Sequence, residues 1–158
     1  MLELKIEGLD EMLSALDRFA DEMVDFRRVE QPLKERFHAM ERGQFGSQGA
    51  RGGTSWKPLS RAYAIRKERE YPGQPLERRT GALERSLIGG TPDSISRVDK
   101  ESFEFGSSLP YAQAQHGGTA RTPARPLVAP TLADEEAFAR IILADAVRFA
   151  HSLKLDAE

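Results

Sequence analysis

The sequence predicts an α+β fold in which long N-terminal and C-terminal helices pack on a small, mostly antiparallel sheet with extended loop arms. Three observations predict it: helical periodicity at both ends, two short strand-like segments in the middle, and glycine- and proline-rich stretches between them. A length of 158 residues suits one domain spanning 1–158. Within it we expect flexible arms at about residues 43–57 and 107–130.

The N-terminal part predicts a strand followed by helices. Residues 2–6 alternate apolar and charged side chains, as a half-buried strand does. The apolar spacing then becomes helical over about residues 10–29. Pro32 fits the first turn of a helix better than its interior, so we expect a kink and then a helix through Phe37 and Met40. One continuous bent helix is the alternative.

The middle of the chain predicts a loop and two short helices. Residues 43–55 are so rich in glycine that regular structure is improbable, which favours a mobile loop or an arm that orders on contact. Ser60 to Glu70 predicts a short basic helix that ends at the turn of residues 71–73. Another short helix, containing Leu83, is expected after Thr80.

A hairpin and a long helix complete the expected elements. Strands are predicted over 95–98 and 102–105, joined by a three-residue turn, with the aromatic side chains of the second strand facing the core. Residues 107–130 contain four prolines and are expected to be irregular, as long functional loops are. The last helix should begin near Asp134, where acidic side chains favour the first turn, and its apolar face is marked by Phe138, Ile142, Phe149 and Leu153.

Charge is unevenly distributed along the chain. Residues 1–41 carry 6 basic and 11 acidic side chains, residues 42–85 carry 10 and 4, and residues 131–158 carry 3 and 6. A basic middle between acidic ends suits pairing of one copy with the next, or contact with a nucleic acid. A solvated charged surface is the alternative.

Neither a catalytic, a metal nor a cofactor site is predicted. The chain has no cysteine, which excludes disulfides and thiolate metal sites and fits a reducing cytoplasm, and its three histidines lack ligand spacing. His116 is the sole candidate acid or base, and a local hydrogen bond is the favoured interpretation for it. The glycines of 43–53 lack the Lys-Ser/Thr ending of a phosphate-binding loop. No apolar run approaches the ~18 residues of a membrane span, and no leader peptide is expected.

Two alternatives concern the segment around residues 57–71. Its arginines and tyrosines approach the composition of a single-strand nucleic-acid reader, although Glu68 and Glu70 dilute the charge. A nucleic-acid-binding accessory protein that uses residues 57–71 is therefore the alternative function. Trp56, just before this segment, suits either a core anchor or an interface hot spot.

Short turn-and-anchor motifs follow one another between residues 56 and 127. They are Trp56-x-Pro58-Leu59, Leu76 with Thr80-Gly81-x-Leu83-x-x-Ser86, Phe105-Gly106-Ser107, Pro110-Tyr111-Ala112, His116-Gly117-Gly118 and Arg125-Pro126. In this order and spacing they resemble the phage virion morphogenesis family, the tail-completion proteins of Mu-like and related tailed phages. Two positions depart from the family pattern, since Gln115 precedes His116 and Leu127 stands where an aromatic residue is common.

The resemblance implies a structural virion protein without catalysis, a tail-completion or neck component that forms a ring and joins tail to head. It implies a homo-oligomeric ring, for which we expect six copies, with twelve as the alternative. The ring should contact tail terminator or tube proteins and head-completion or connector proteins. DNA passing through the channel is a further expected contact, and a membrane is not. The expected location is the neck or the head-proximal end of the tail, after synthesis in the host cytoplasm.

The candidate contact residues fall into two sets. The interface candidates are Trp56, Pro58, Leu59, Thr80, Gly81, Tyr111, His116, Arg125 and Pro126. The basic residues expected to face DNA or a neighbouring subunit are Arg61, Arg66, Lys67, Arg78 and Arg79. We expect both arms to reach neighbouring subunits, because a homomeric ring needs heterologous contacts.

Overall fold

A computed structural model describes residues 22–152 continuously, Ser14, Asp17 and Phe19 before them, and the helical backbone of residues 153–155. In this part of the chain, helices at both ends flank a two-stranded antiparallel sheet, so the predicted α+β class is confirmed. The elements in chain order are a 3₁₀ turn Phe26–Val29, α1 Glu30–Gly46, a 3₁₀ turn Ala50–Gly52, α2 Arg61–Glu70, α3 Ala82–Ile88, β1 Ser94–Val98, β2 Phe103–Ser107, α4 Ala112–Gly117 and α5 Leu132–Leu155.

The N-terminal predictions are only partly open to comparison. The predicted strand over 2–6 and most of the predicted helix over 10–29 lie outside the described residues. The predicted end of that helix at residue 29 was wrong, because residues 24–25 are not helical and a 3₁₀ turn follows them. Asp25 caps this turn by accepting a hydrogen bond from the Arg27 amide. Pro32 lies in the first turn of α1, as predicted.

The first helix runs further than its glycines suggested. It continues to Gly46, where regular structure was not expected. Gln44 and Phe45 are buried in this last turn, and their packing outweighs the cost of about 1 kcal/mol for each helical glycine. Ser47 ends the helix by donating its amide to the Gly43 carbonyl. Whether the following segment moves as an arm stays a prediction.

The two central helices have the predicted positions. The Ser60 hydroxyl caps α2 by accepting a hydrogen bond from the Tyr63 amide. Gly81 precedes α3 with a φ of 75°, a value that glycine adopts without strain. The Thr80 hydroxyl accepts from the Ala82 amide at 3.3 Å, so both residues serve the start of α3.

The hairpin is confirmed, and its turn is one residue longer than predicted. Val98 pairs with Phe103, so four residues rather than three form the turn. Phe103 and Phe105 face the core, since Phe105 contacts Phe37 of α1 at 5.4 Å between ring centroids and Phe103 stacks on Phe138 of α5 at 6.1 Å. The aromatic face of the sheet thereby joins the first and last helices.

The core lies between α1, α3 and the segments that follow them. Its buried apolar residues are Phe37, Met40, Phe45, Trp56, Leu83, Leu87 and Leu127. Residues 107–130 are mostly irregular, as predicted, but the short helix α4 within them was missed. At the start of the last helix, the Asp134 carboxylate accepts from the amide and the hydroxyl of Thr131, which precedes the helix.

Candidate functional site

Residues 125–127, which we call the strap, connect four distant parts of the chain. The Arg125 amide donates to the Gln115 carbonyl at 2.9 Å, and its Nε donates to the Lys57 carbonyl at 2.8 Å. Its Nη1 lies 3.2 Å from Glu77 Oε1. Arg125 is 3% exposed, so this guanidinium is a buried structural group and not a free surface charge.

The other two strap residues are held in the same way. The Pro126 carbonyl accepts hydrogen bonds from Gln44 Nε2 and Trp56 Nε1, both at 2.8 Å. The Leu127 amide donates to His116 Nδ1 at 3.2 Å, and the Leu127 side chain is buried. Motifs that are far apart in sequence therefore interlock, and each fixes another in place.

These contacts bear on Trp56 and His116, for each of which the sequence left two alternatives open. Trp56 is buried and meets Phe45 edge to face at 5.2 Å, so within the chain it is a core anchor. His116 makes the local hydrogen bond that was favoured over catalysis, although it lies in α4 and not in a loop.

A groove of about 680 Å³ opens beside the strap. It brings together predicted contact residues from the first, second and fourth motifs with the strap arginine. Its lining residues are Pro58, Leu59, Ser60, Tyr63, Tyr71, Leu76, Glu77, Arg79, Thr80, Gly81, Ala82, Leu83, Tyr111, Gln115, Arg121, Thr122, Pro123 and Arg125. Three tyrosines and two exposed arginines make it both aromatic and cationic.

The polar groups of the groove differ in how well they are satisfied. Glu77 pairs with Arg125, and burial raises the pKa of the Glu77 carboxyl against the opposing effect of Arg125 and Lys67. Arg79 stacks on the Tyr71 ring at 5.0 Å and has no carboxylate partner among the described residues. Gln115 Oε1 is buried with no hydrogen-bond donor in the same part of the chain. Glu70 attracts Arg79 only weakly, so the groove keeps a cation without an ion pair in the described part of the chain.

The predicted basic residues separate into buried, paired and free groups. Lys67 is 5% exposed, and its ammonium donates to the carbonyls of residues 74–76. Arg78 pairs with Glu84. Arg61 and Arg66 are exposed on α2, where Arg66 lies 4.9 Å over the Tyr63 ring. Arg61, Arg66 and Arg79 therefore remain available to a partner, whereas Lys67 holds its own loop.

A second charged cluster lies between α1 and α5. Asp134 is fully buried and accepts hydrogen bonds from Arg36 and Arg51. Burial raises the pKa of this carboxyl, but hydrogen bonds from Arg51 and Thr131 outweigh burial and lower the pKa to about 2. The acidic first turn predicted for α5 is present, and one of its members has become a buried anchor.

Glu41 belongs to this cluster and was missed by the sequence analysis. It is fully buried, and neither carboxylate oxygen has a hydrogen-bond donor among the described residues. Burial, with a smaller contribution from Asp134, raises its pKa from 4.5 to about 8 against the attraction of Arg51. Glu41 lies one helical turn after Phe37, so its place on the apolar face of α1 was the available signal.

Within the described residues, no group of three or more His, Cys, Asp or Glu side chains could hold a metal ion. No helix in that part of the chain is long and apolar enough to cross a membrane.

The comparison with protein families gives one match. A sequence model described as the phage virion morphogenesis family matches residues 6–146, which includes the strap, the groove and the charged cluster. No curated protein and no solved structure matches the chain.

Proposed function

The chain belongs to the phage virion morphogenesis family, and we propose that it is a tail-completion or neck component that joins tail to head during phage assembly. The family is one of structural and assembly proteins, so its role lies in building the phage particle. The more specific role, joining tail to head, is supported by the contacts of the strap and the groove.

One observation carries this proposal: the motif residues hold one another and shape an open groove. The strap fixes Trp56, Glu77 and His116 through hydrogen bonds and an ion pair inside the chain. Tyr111 is left 45% exposed at the groove. A rigid scaffold with an exposed aromatic residue suits recognition of a protein surface.

Charge supports assembly into a ring of identical copies, for which six remains the proposed number. The free guanidinium groups of Arg61, Arg66 and Arg79 lie in the basic middle of the sequence, and the two ends are acidic. Opposite charges on different surfaces of one chain favour a head-to-tail contact, and such contacts generate closed rings. The outer faces of this ring would meet tail terminator or tube proteins and head-completion or connector proteins.

The test is deletion of the gene from its phage. We expect filled heads and separate tails by negative-stain electron microscopy, and a loss of infectious titre that a plasmid copy of the wild-type gene restores. Normal joined and infectious particles from the deletion would reject the proposed role. Whole particles that fail at a later stage, such as attachment, would also reject it.

A nucleic-acid-binding role through residues 57–71 is the second candidate, favoured by the exposed Arg61 and Arg66 on α2. It predicts DNA affinity that falls steeply with salt and disappears in an Arg61→Ala/Arg66→Ala variant. Lys67 is unsuitable for this test because it holds the loop of residues 74–76. Equal DNA affinity in the variant and the wild type would reject the second candidate.

A further inference from the structure

We propose that the groove binds the acidic N-terminal segment, residues 1–22, of a second copy of this chain. The inference rests on the proposed ring, for which it supplies the contact. It also rests on two properties of the groove that can be argued separately: its charge and its apolar surface.

The groove carries a positive charge that the described residues do not neutralise. Its one acidic residue, Glu77, is already paired with Arg125. Arg79 and Arg121 line the same groove and are exposed, and no ion pair involves either of them within the described residues. An acidic occupant would therefore find two guanidinium groups without a competing carboxylate.

The same groove offers apolar area. Leu59, Pro58 and Pro123 contribute apolar surface, and Tyr111 is nearly half exposed. A peptide supplies apolar side chains for these walls, whereas an inorganic anion supplies none.

The chain contains a segment with matching chemistry. Residues 1–22 hold 7 acidic and 2 basic side chains, interspersed with leucine and isoleucine. In α5, Asp134 is buried and Asp145 and Glu136 pair with Arg28 and Arg140, so Glu135 is its one acidic residue that is exposed without an ion pair among the described residues. Charge complementarity thus favours the N-terminal segment as the occupant.

The residues at the end of this segment are bonded to the rest of the chain. Arg28 donates to the carbonyls of Glu22 and Met23, both at 3.0 Å, and it also lies over the Phe149 ring of α5. Each copy thus presents one groove and one anchored segment. Two different surfaces on every copy are what a head-to-tail contact requires.

The experiment measures binding of a fluorescently labelled synthetic peptide of residues 1–22 to the full-length protein by anisotropy. Saturable binding that weakens with salt is expected. An Arg79→Gln/Arg121→Gln variant should bind about tenfold more weakly, as expected for loss of two partly exposed ion pairs. An Arg97→Gln/Arg140→Gln variant changes two exposed arginines outside the groove and should bind as the wild type does. A peptide in which every Asp is changed to Asn and every Glu to Gln should bind the wild type about as weakly as the unchanged peptide binds the Arg79→Gln/Arg121→Gln variant.

Light scattering under the same conditions gives the oligomeric state. If the wild type is already oligomeric, excess peptide should lower its mass, and the groove variant should be monomeric. Absence of saturable binding to monomeric wild type, or equal binding by the groove variant, would overturn the proposal. So would a groove variant that loses affinity for single-stranded DNA and keeps its affinity for the peptide. Because the gene deletion tests the head–tail role independently, a failure here with unjoined particles there would reject only the groove contact.

Discussion

Replacement of Glu41 by glutamine should remove a large pH dependence of stability. The carboxyl is fully buried without hydrogen-bond donors among the described residues, and its pKa is raised from 4.5 to about 8. Between these two values the folded protein holds a proton that the unfolded chain has lost. The free energy of unfolding of the wild type should therefore fall as the pH rises across this window, and it should level off above pH 8.

The size of the effect follows from the separation of the two pKa values. At about 1.4 kcal/mol for each unit of pKa, the change from 4.5 to about 8 corresponds to about 5 kcal/mol. Glutamine has nearly the same shape and does not ionise. We therefore expect Glu41→Gln to match the wild type near pH 5 and to be several kcal/mol more stable near pH 9.

Urea unfolding from pH 5 to 9 measures this directly, with the fluorescence of the buried Trp56 as the probe. Glu101→Gln is the matched control, because it makes the same chemical change at an exposed position in the hairpin turn. The control should follow the wild type at every pH. Parallel curves for the wild type and Glu41→Gln would refute the assignment of a buried, proton-holding carboxyl.

Three further substitutions test the strap, the charged cluster and the tight packing of the first loop. Arg125→Met leaves Glu77 buried without the arginine it pairs with, and it should lower the free energy of unfolding in urea by about 3 kcal/mol. Adding Glu77→Gln to this variant should recover part of that loss, and no recovery would contradict the pairing. Asp134→Asn should cost about 3 kcal/mol at pH 7. Because the Asp134 pKa is lowered from 3.8 to about 2, the stability it contributes is present above pH 3.8 and is lost as the pH falls towards 2, so the deficit of the variant should shrink in acid; an unchanged deficit in acid would contradict this. Gly49 has a φ of 89°, and Gly49→Ala places a Cβ 2.5 Å from the ring of Trp56. This variant should have a lower thermal midpoint than Gly53→Ala, because Gly53 has a φ of 86° but open space around its Cβ. Equal losses would indicate that backbone conformation alone sets the cost.

Local signals in the sequence predicted the elements that carry their own start and stop residues. The second helix is bounded by Ser60 and by the turn at residues 71–73, and both boundaries hold. The hairpin was recognised from its alternating aromatic side chains, with an error of one residue at the turn. The last turn of α1 was missed because its glycines argued against helix, and burial of residues such as Phe45 outweighs them. The helix α4 was missed because it is only six residues long, buries none of them and lies in a proline-rich stretch.

The sequence singled out individual positions of the candidate site, but it did not predict which of them contact one another. The motifs singled out Trp56, Arg125 and Pro126 as interface candidates, yet nothing in the sequence indicates that they contact one another or Lys57 across about 70 residues. Glu77 and Gln44, which complete the strap contacts, were not singled out. Such residues stand in no motif, because their roles come from partners that only tertiary structure brings near.

The strap also has a consequence for the order of events during synthesis. Its bonds to Gln44, Trp56 and Lys57 join residues that lie 82, 70 and 68 positions apart in sequence. Such non-local contacts form late in folding, because the entropy of closing the chain is lost before the contact can stabilise the fold. The core around the tryptophan therefore stays open at one side until Leu127 has left the ribosome. A nascent chain that stops before the strap should expose this apolar surface and be degraded or aggregate, so the tryptophan core can close only after the strap has been synthesised.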